Sequence, residues 1–138
     1  MKPAAFFDTN IFVYADDASD GRKQDRAIKL IAEYRKENLA LVSLQVMQEY
    51  FSITTRKLRV DPALAQAKVE LMARLKVVRI VEDDLIRAIE FHRLHQSSFW
   101  DSLILHAARI GGAEILFTED LQHDSILNGV RIVNPFRG

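Results

Sequence analysis

Residues 4–14 read AAFFDTNIFVY, a stretch in which a single acid stands between two apolar runs. The first run, residues 4–7, is short and continuous, which predicts a buried β-strand. The apolar residues resume at Ile11, after Thr9 and Asn10, and residues 10–15 predict a short helix. Asp8 therefore lies at the carboxyl end of a predicted first strand.

Strands and helices alternate along the rest of the chain. Apolar and β-branched runs predict four further strands, at residues 39–42, 77–81, 115–117 and 130–133. Amphipathic spacing predicts the longer helices, at residues 22–37, 45–58, 62–75, 82–96 and 98–110. This alternation is typical of an α/β fold, here one domain over residues 1–138 with a parallel sheet of five strands and helices on both faces.

Composition narrows the class of protein. Hydrophobic residues make up 49% of the 138 positions and charged residues 28%, which is typical of a globular domain. No apolar run approaches the roughly 20 residues of a membrane span. The chain has no cysteine and no secretory leader pattern, so we expect a cytoplasmic protein without disulfides, thiolate metal sites or a cysteine nucleophile. Basic and acidic residues balance at 19 each, so any binding of nucleic acid requires a local patch and a metal.

Four acids are predicted to meet at one edge of the sheet. Asp8 follows the first strand, and Asp120 lies just past the fourth. Asp101 is in the first turn of the helix that leads into the fourth strand, and Glu49 lies within about two turns of the start of the helix after the second strand. Helices that connect parallel strands begin at the edge where the carboxyl ends meet, which is where ligands bind in such sheets.

Each of these acids also has a local interpretation. Asp8 could cap the short helix that follows it. Asp101 is three residues after Ser98, the spacing of a capping box. Glu49 falls on a polar helical stripe that could face solvent, and Asp120 could be an ordinary turn residue. No single acid indicates a shared site, but the four acids together do.

A group of carboxylates at one place has a clear chemical use. Acids packed together repel one another, and a divalent cation relieves that repulsion. Magnesium prefers oxygen ligands and retains several water molecules. Such an ion polarises a phosphoryl oxygen and activates a bound water, so the sequence favours hydrolysis of a phosphodiester.

The stretches FFDTNIFVY, SLQVMQEY, FWDSLIL and FTEDL, in this order, resemble the four acidic motifs of the PIN-domain family, and especially of the toxin component of VapBC toxin–antitoxin pairs. The resemblance covers nearly the whole chain. It implies a sheet with strand order 3-2-1-4-5 and a ribonuclease that depends on Mg²⁺ or Mn²⁺. It also implies a homodimer that a cognate antitoxin holds inactive.

The family's site residues map onto the four acids. The resemblance implies that Asp8 and Asp101 bind the metal directly. Glu49 and Asp120 would complete the catalytic group, either by binding the metal through water or by orienting the attacking water. Four further side chains could hold these carboxylates by hydrogen bonds or could serve as caps, turn residues or surface residues: Asn10, Ser43, Ser102 and Thr118.

The fourth motif leaves a choice open, because Glu119 directly precedes Asp120 and either could face the site. Asp124 could add a peripheral acid. Trp100 could stack a nucleic-acid base, although packing near the helix start is the favoured interpretation. His92 and His95 have a metal-binding spacing but no third ligand nearby, which favours surface histidines.

Six basic residues form two groups that could hold a phosphate backbone or could simply be solvated: Arg22, Lys23 and Arg26, and Arg56, Lys57 and Arg59.

Three functions compete for this pattern. The first is a metal-dependent endoribonuclease that cuts single-stranded or loop regions of RNA. The second is a catalytically silent PIN-fold module that binds RNA or a protein. The third, an aspartyl-phosphate enzyme or receiver domain, is disfavoured. Asn10 occupies the position of a phosphatase's second aspartate, and Asn134 and Pro135 follow the last strand in place of a receiver's lysine.

Overall fold

Six strands and six helices occupy residues 2–137, the part of the chain that this computed structural model describes. The strands are β1 (Ala5–Phe7), β2 (Ala40–Ser43), β3 (Lys76–Val78), β4 (Ile115–Phe117), β5 (Ile126–Leu127) and β6 (Val130–Val133). The helices are α1 (Thr9–Ala15), α2 (Gly21–Lys36), α3 (Leu44–Arg56), α4 (Pro62–Met72), α5 (Glu82–His95) and α6 (Phe99–Ile110).

The strands form one sheet in the order β3-β2-β1-β4-β6-β5. All neighbouring pairs are parallel except β5 with β6. The predicted order 3-2-1-4-5 is therefore confirmed, since β6 is the strand predicted at residues 130–133. The predicted count of five strands, all parallel, is wrong by one short antiparallel strand at the edge.

The additional strand β5 belongs to a tight hairpin. Asn128 and Gly129 connect β5 to β6, and both have positive φ, at 53° and 80°. Asn-Gly is the pair that favours a two-residue turn of this kind, because both residues tolerate the left-handed conformation. The pair was present in the sequence as a hairpin signal, but Ile126 and Leu127 make too short an apolar run to predict a strand by themselves.

Strand β1 is at the centre of the sheet, between β2 and β4. The chain adds β2 and β3 on one side of β1 and then returns to add β4 and β6 on the other. The winding direction therefore reverses between β1 and β4. Parallel pairing continues one residue past each strand, because the Asp8 N–H donates to the Phe117 carbonyl at 3.0 Å and the Thr118 N–H donates to the Val133 carbonyl at 3.1 Å. Asp8 and Thr118 are thus fixed side by side at the reversal point.

The core extends over both faces of β1. Phe6 and Phe7 point to opposite faces, and both are 0% exposed, so helices cover the sheet on each side. On one face the Phe7 ring contacts those of Phe12, Tyr34 and Phe117, with centroids 6.0, 5.6 and 5.2 Å away. Such pairs contribute about 0.5–1.5 kcal/mol each beyond the area they bury. The core therefore holds the strand end that carries Asp8 in a fixed position.

Helix α6 ends in close contact with the sheet. A Cβ atom added at Gly111, its C-cap residue, would lie 2.5 Å from a methyl group of Val78 and 2.9 Å from one of Leu41. The Gly111 carbonyl also accepts a hydrogen bond from the Lys76 ammonium at 2.8 Å. These contacts fix the carboxyl end of the helix whose first turn carries Asp101.

Within residues 2–137, no helix has both the length and the apolar character required to cross a bilayer.

Candidate active site

A cavity of about 420 Å³ opens at the edge of the sheet where the chain reverses direction. The side chains that line it include all four acids singled out by the sequence: Asp8, Glu49, Asp101 and Asp120. They come from the end of β1, the second turn of α3, the first turn of α6 and the loop after β4. The fold thus brings together residues that are up to 112 positions apart in sequence, counting from Asp8 to Asp120.

Asp8 is the most buried of these acids, with 6% of its surface exposed. One carboxylate oxygen accepts the backbone N–H of Thr9 at 2.7 Å, and the other accepts the hydroxyl of Thr118 at 2.7 Å. Burial raises the pKa of Asp8 to about 7. The two hydrogen bonds lower this pKa, and the charges of Asp120 and Glu49 raise it. Asp8 also caps α1, so the local interpretation is correct, and the same residue lines the cavity with the other three acids.

Hydrogen bonds through Thr118 connect Asp120 to Asp8. The backbone N–H of Asp120 donates to the Thr118 hydroxyl at 3.1 Å, and that hydroxyl donates to Asp8. The Asp120 carboxylate accepts the side-chain amide of Asn10 at 3.1 Å. Partial burial raises the pKa of Asp120, and the negative charge of Asp101 adds to the effect. The Thr118 hydroxyl is therefore hydrogen-bonded to both aspartates.

Glu49 points into the cavity and is half-buried. One oxygen of its carboxylate accepts the Thr9 hydroxyl at 2.6 Å, and the other accepts the Gln45 side-chain amide at 3.3 Å. The interpretation of Glu49 as part of a solvated helix face is therefore wrong. Thr9 binds two of the acids at once, through its N–H to Asp8 and its hydroxyl to Glu49.

Asp101 enters the cavity from the start of α6. The Ser98 hydroxyl accepts the Asp101 N–H at 3.0 Å and caps the helix, as the spacing of these residues predicts. The Asp101 side chain lines the cavity, where its charge contributes to the raised pKa of Asp120. Asp101 therefore faces the other acids across the opening.

Two of the four predicted supporting residues contact a carboxylate, namely Asn10 and Thr118. Ser43 instead caps α3 by accepting the Val46 N–H at 3.3 Å, and Ser102 donates to the Ser98 carbonyl at 2.9 Å. Sequence reasoning missed Thr9 and Gln45. The only signals for them were the position of Thr9 next to Asp8 and the four-residue spacing from Gln45 to Glu49.

The choice between Glu119 and Asp120 is resolved by their partners. Glu119 accepts hydrogen bonds from the Tyr14 hydroxyl and, at 2.9 Å, from the Lys23 ammonium. Asp120 lines the cavity, and Glu119 does not. Asp124 forms an exposed ion pair with Arg131 at 2.8 Å and also lies outside the cavity.

The donor atoms suit a hard divalent cation. Most of the potential ligand atoms that line the cavity are oxygens, which magnesium and manganese prefer. Asp8 is buried and the acids repel one another, so a bound cation would stabilise their charged forms. The buried Oδ1 atom of Asn10 accepts no hydrogen bond from residues 2–137, so an oxygen ligand is available beside Asp120. No three Asp, Glu or His side chains in this range already form a metal-binding group. Ligation by two carboxylates plus water molecules fits this arrangement better than an all-protein cage.

The histidines have other contacts. The ring of His92 bonds to the Ser97 carbonyl, and that of His95 packs on Phe91 with centroids 4.2 Å apart. His106 pairs with Asp84 at 2.9 Å. His95 is exposed, as predicted for a surface histidine, whereas His92 is partly buried.

The two basic groups differ in their relation to the cavity. Arg22 and Arg26 bind the backbone carbonyls of Phe136 and Pro135 at 3.1 and 3.0 Å, so they fasten the C-terminal segment. Among the six basic residues considered, only Lys57 lines the cavity.

Trp100 also lines the cavity and is 60% exposed, so the favoured interpretation of Trp100 as a packed side chain is wrong.

Comparison with known proteins identifies the fold. The family model described as the PIN domain matches residues 5–126. The chain resembles the crystal structure of Mycobacterium tuberculosis VapC20, described as a sarcin-ricin loop cleaving toxin. The identity is 24%, the match covers 85% of this chain and 92% of that one, and the TM-score is 0.70. It also resembles a toxin–antitoxin complex from Klebsiella pneumoniae, with 20% identity over 96% of this chain and 98% of that one and a TM-score of 0.72. No curated protein matches. The family model spans most of the chain, and the chain therefore belongs to the PIN-domain family.

Proposed function

We propose that this protein is a metal-dependent endoribonuclease and that it acts as the toxin of a type II toxin–antitoxin pair. The observation that carries the proposal is the cavity in which Asp8, Glu49, Asp101 and Asp120 meet at the reversal point of a PIN-family sheet. Both structural neighbours named above are described as a toxin or a toxin–antitoxin complex, which supports the toxin role. We regard residues 1–138 as one PIN domain that works in the cytoplasm, where its RNA substrates are.

Asp8 and Asp101 are the proposed metal ligands, with Mg²⁺ or Mn²⁺ as the ion. The bound ion would polarise a phosphoryl oxygen and lower the pKa of a water molecule. Hydrogen bonds from Thr9 and Thr118 hold the Asp8 carboxylate in one orientation, so little reorganisation is needed for binding. Glu49 and Asp120 would orient the attacking water or accept its proton, a role that their position in the lining of the same cavity supports.

The proposed inhibitor is a cognate antitoxin that binds at the acidic cavity. An arginine side chain would suit the carboxylates, because a guanidinium binds carboxylate oxygens through two parallel hydrogen bonds. The Klebsiella pneumoniae neighbour, described as a toxin–antitoxin complex, supports a partner of this kind.

A homodimer is the proposed assembly, with α5 as its contact surface. Apolar side chains on and just before this helix are exposed, including Val81, Ile86 and Leu94 at 63%, 59% and 73%. Its first turn is acidic and its last turn is basic. Two copies of α5 packed antiparallel about a two-fold axis would place each acidic end against a basic end. Ile86→Glu should shift the mass measured by sedimentation equilibrium from dimer to monomer, and a monomeric wild-type protein would contradict the proposal.

The decisive experiment is RNA cleavage by the purified protein. With Mg²⁺ the wild-type protein should cut single-stranded RNA, and EDTA should stop the reaction. Asp8→Asn should lower the rate by at least about a hundredfold, because removal of metal-orienting groups typically costs 10–100-fold and Asp8 is a proposed direct ligand. Asp124→Asn is the matched control, since that acid lies outside the cavity and should retain full activity.

A catalytically silent module that binds RNA or a protein is the alternative. In that case the wild-type protein would bind RNA without cutting it, and a calorimetric titration with Mg²⁺ would give the same result for wild type and Asp8→Asn. Equal cleavage by wild type and Asp8→Asn would remove Asp8 from the mechanism.

A further inference from the structure

Trp100 is the only tryptophan in the chain, and it is 60% exposed at the mouth of the acidic cavity. Tryptophan is among the largest apolar side chains, and most of its surface is usually buried in a folded protein. An exposed tryptophan beside a group of carboxylates cannot be explained by packing in the core.

The position of Trp100 is fixed by its neighbours. The Phe99 ring packs edge-on against the indole, with centroids 4.9 Å apart and an angle of 66° between the ring planes. The Gln45 side-chain amide donates to the Trp100 carbonyl at 3.5 Å, and the same amide donates to Glu49 at 3.3 Å. The backbone of Trp100 is thereby connected to one of the proposed catalytic acids, and Asp101 is the next residue along the helix.

The rest of the cavity wall adds the groups that a nucleotide requires. Lys57 lines the same cavity, and no carboxylate in residues 2–137 lies within ion-pair distance of its ammonium. A cation and an exposed aromatic face are the two elements with which proteins bind single-stranded nucleic acid, through the phosphate and the base. The wall beside Trp100 also carries the charges of Asp101 and Glu49, which an apolar protein segment would have to bury, and this disfavours such a segment as the occupant.

We propose that Trp100 is a stacking platform for an unpaired nucleobase next to the phosphodiester that is cut, with Lys57 on the phosphate backbone beside it. The assignment of the cut bond depends on the proposed nuclease function, whereas the stacking itself does not. A base within a duplex has both faces covered, so this contact selects RNA that is single-stranded or looped at the cleavage point.

The first test uses the fluorescence of the single tryptophan. Asp8→Asn protein with Mg²⁺ is titrated with single-stranded oligoadenylate, and with a blunt-ended RNA duplex of two strands, whose bases are all paired, as comparison. Stacking should quench the emission with the single strand, and quenching by the duplex should require at least about tenfold more RNA, as expected for the loss of one stacked base. No quenching by the single strand, or equal quenching by both RNAs, would overturn the proposal.

The second test measures cleavage kinetics. Trp100→Ala should raise the KM for single-stranded RNA about tenfold, whereas Trp100→Phe should stay within about threefold of wild type because it retains an aromatic face. Ile126→Ala is the matched control, since this side chain is 72% exposed on β5 outside the cavity, and its KM should not change. Equal KM values for wild type and Trp100→Ala would overturn the proposal. A lower sedimenting mass for Trp100→Ala would also do so, because it would assign the side chain to a protein interface.

The two tests separate this proposal from the nuclease function. If the wild-type protein does not cut RNA but the single strand quenches Trp100 selectively, the nuclease function fails and the stacking platform stands. If the wild-type protein cuts RNA and Trp100→Ala cuts it equally well, the reverse holds.

Discussion

At the scale of single residues, the burial of the Asp8 carboxyl destabilises its charged form and so shifts its pKa. Its carboxylate is buried beside two other acids, and that environment raises its pKa to about 7 from the usual 3.8. Thr9 and Thr118 donate hydrogen bonds that favour the charged form, but they do not outweigh burial. The Asp8 carboxyl of the folded protein therefore takes up and releases its proton near neutral pH.

The raised pKa of Asp8 predicts how the free energy of unfolding depends on pH in the absence of metal. An acid whose pKa is higher in the folded than in the unfolded chain binds more protons in the folded state between those two values. Stability therefore falls as the pH rises from about 4 to about 7, by up to about 4 kcal/mol from Asp8 alone. Asp8→Asn carries no such charge. In EDTA it should be more stable than wild type at pH 8, and the difference should narrow towards pH 4.

Urea denaturation of both proteins between pH 4 and pH 8 measures this difference. Asp124→Asn serves as control, because that exposed acid is paired with Arg131 and should show nearly the same offset from wild type at each pH. If the difference between wild type and Asp8→Asn did not change with pH, Asp8 would have an ordinary pKa.

The residues of the site differ in how well the sequence predicts them. Asp8 and Asp101 are recognisable because each stands at a local boundary, the end of a strand and the start of a helix. Thr9 was missed because its hydroxyl binds Glu49, which is 40 positions away, and no local pattern carries such a contact. The ion pair between Glu119 and Lys23, which distinguishes Glu119 from Asp120, is also a contact between distant segments.

At the scale of elements, regular periodicity and clear boundaries were the reliable signals. Asp61 followed by Pro62 predicts the start of α4, and the structure begins that helix at Pro62. The third strand was predicted at residues 77–81, yet β3 spans Lys76–Val78, because only those residues pair with β2. The hairpin of β5 was missed for a related reason, since two residues show no measurable alternation.

The junction between α6 and the sheet supplies a prediction at this scale. In Gly111→Ala the new methyl group would meet Val78 and Leu41 at less than 3 Å in a packed core. We expect the free energy of unfolding to fall by about 1–3 kcal/mol. Any shift of α6 would also displace Asp101 and Trp100, so cleavage should weaken as well.

Gly21→Ala is the control for that experiment. Gly21 is the first residue of α2, and a Cβ atom there would meet nothing within 4 Å. The substitution should leave stability unchanged or raise it by up to about 1 kcal/mol, because alanine loses less backbone freedom on folding. Thermal or urea denaturation measures the free energy of unfolding of both variants. Equal values for Gly111→Ala and Gly21→Ala would show that the packed core tolerates a methyl group at Gly111.

At the scale of the whole molecule, a chain with zero formal net charge concentrates negative charge at one place. Asp17 lines the cavity together with the four acids predicted to meet there, so five acids line it, while Arg22 and Arg26 bind the C-terminal segment and do not reach it. Net charge alone gave no sign of this separation, because it depends on the winding of the chain. The same winding was predictable from the alternation of strands and helices, and it is what placed the four acids at one edge.

If the proposed metal site is correct, this concentration of charge should make the stability of the whole protein depend on divalent cations. An ion that binds only the folded state adds about 2.7 kcal/mol at a concentration one hundred times its Kd. Protons compete with the ion for Asp8, so the gain from Mg²⁺ or Mn²⁺ should be larger at pH 8 than at pH 5. Added metal should therefore reverse, above neutral pH, the loss of stability expected in EDTA. Differential scanning calorimetry with and without metal should show a rise in Tm for wild type and Asp124→Asn, and little rise for Asp8→Asn or Asp101→Asn. An equal rise in all four proteins would mean that the ions bind outside the cavity.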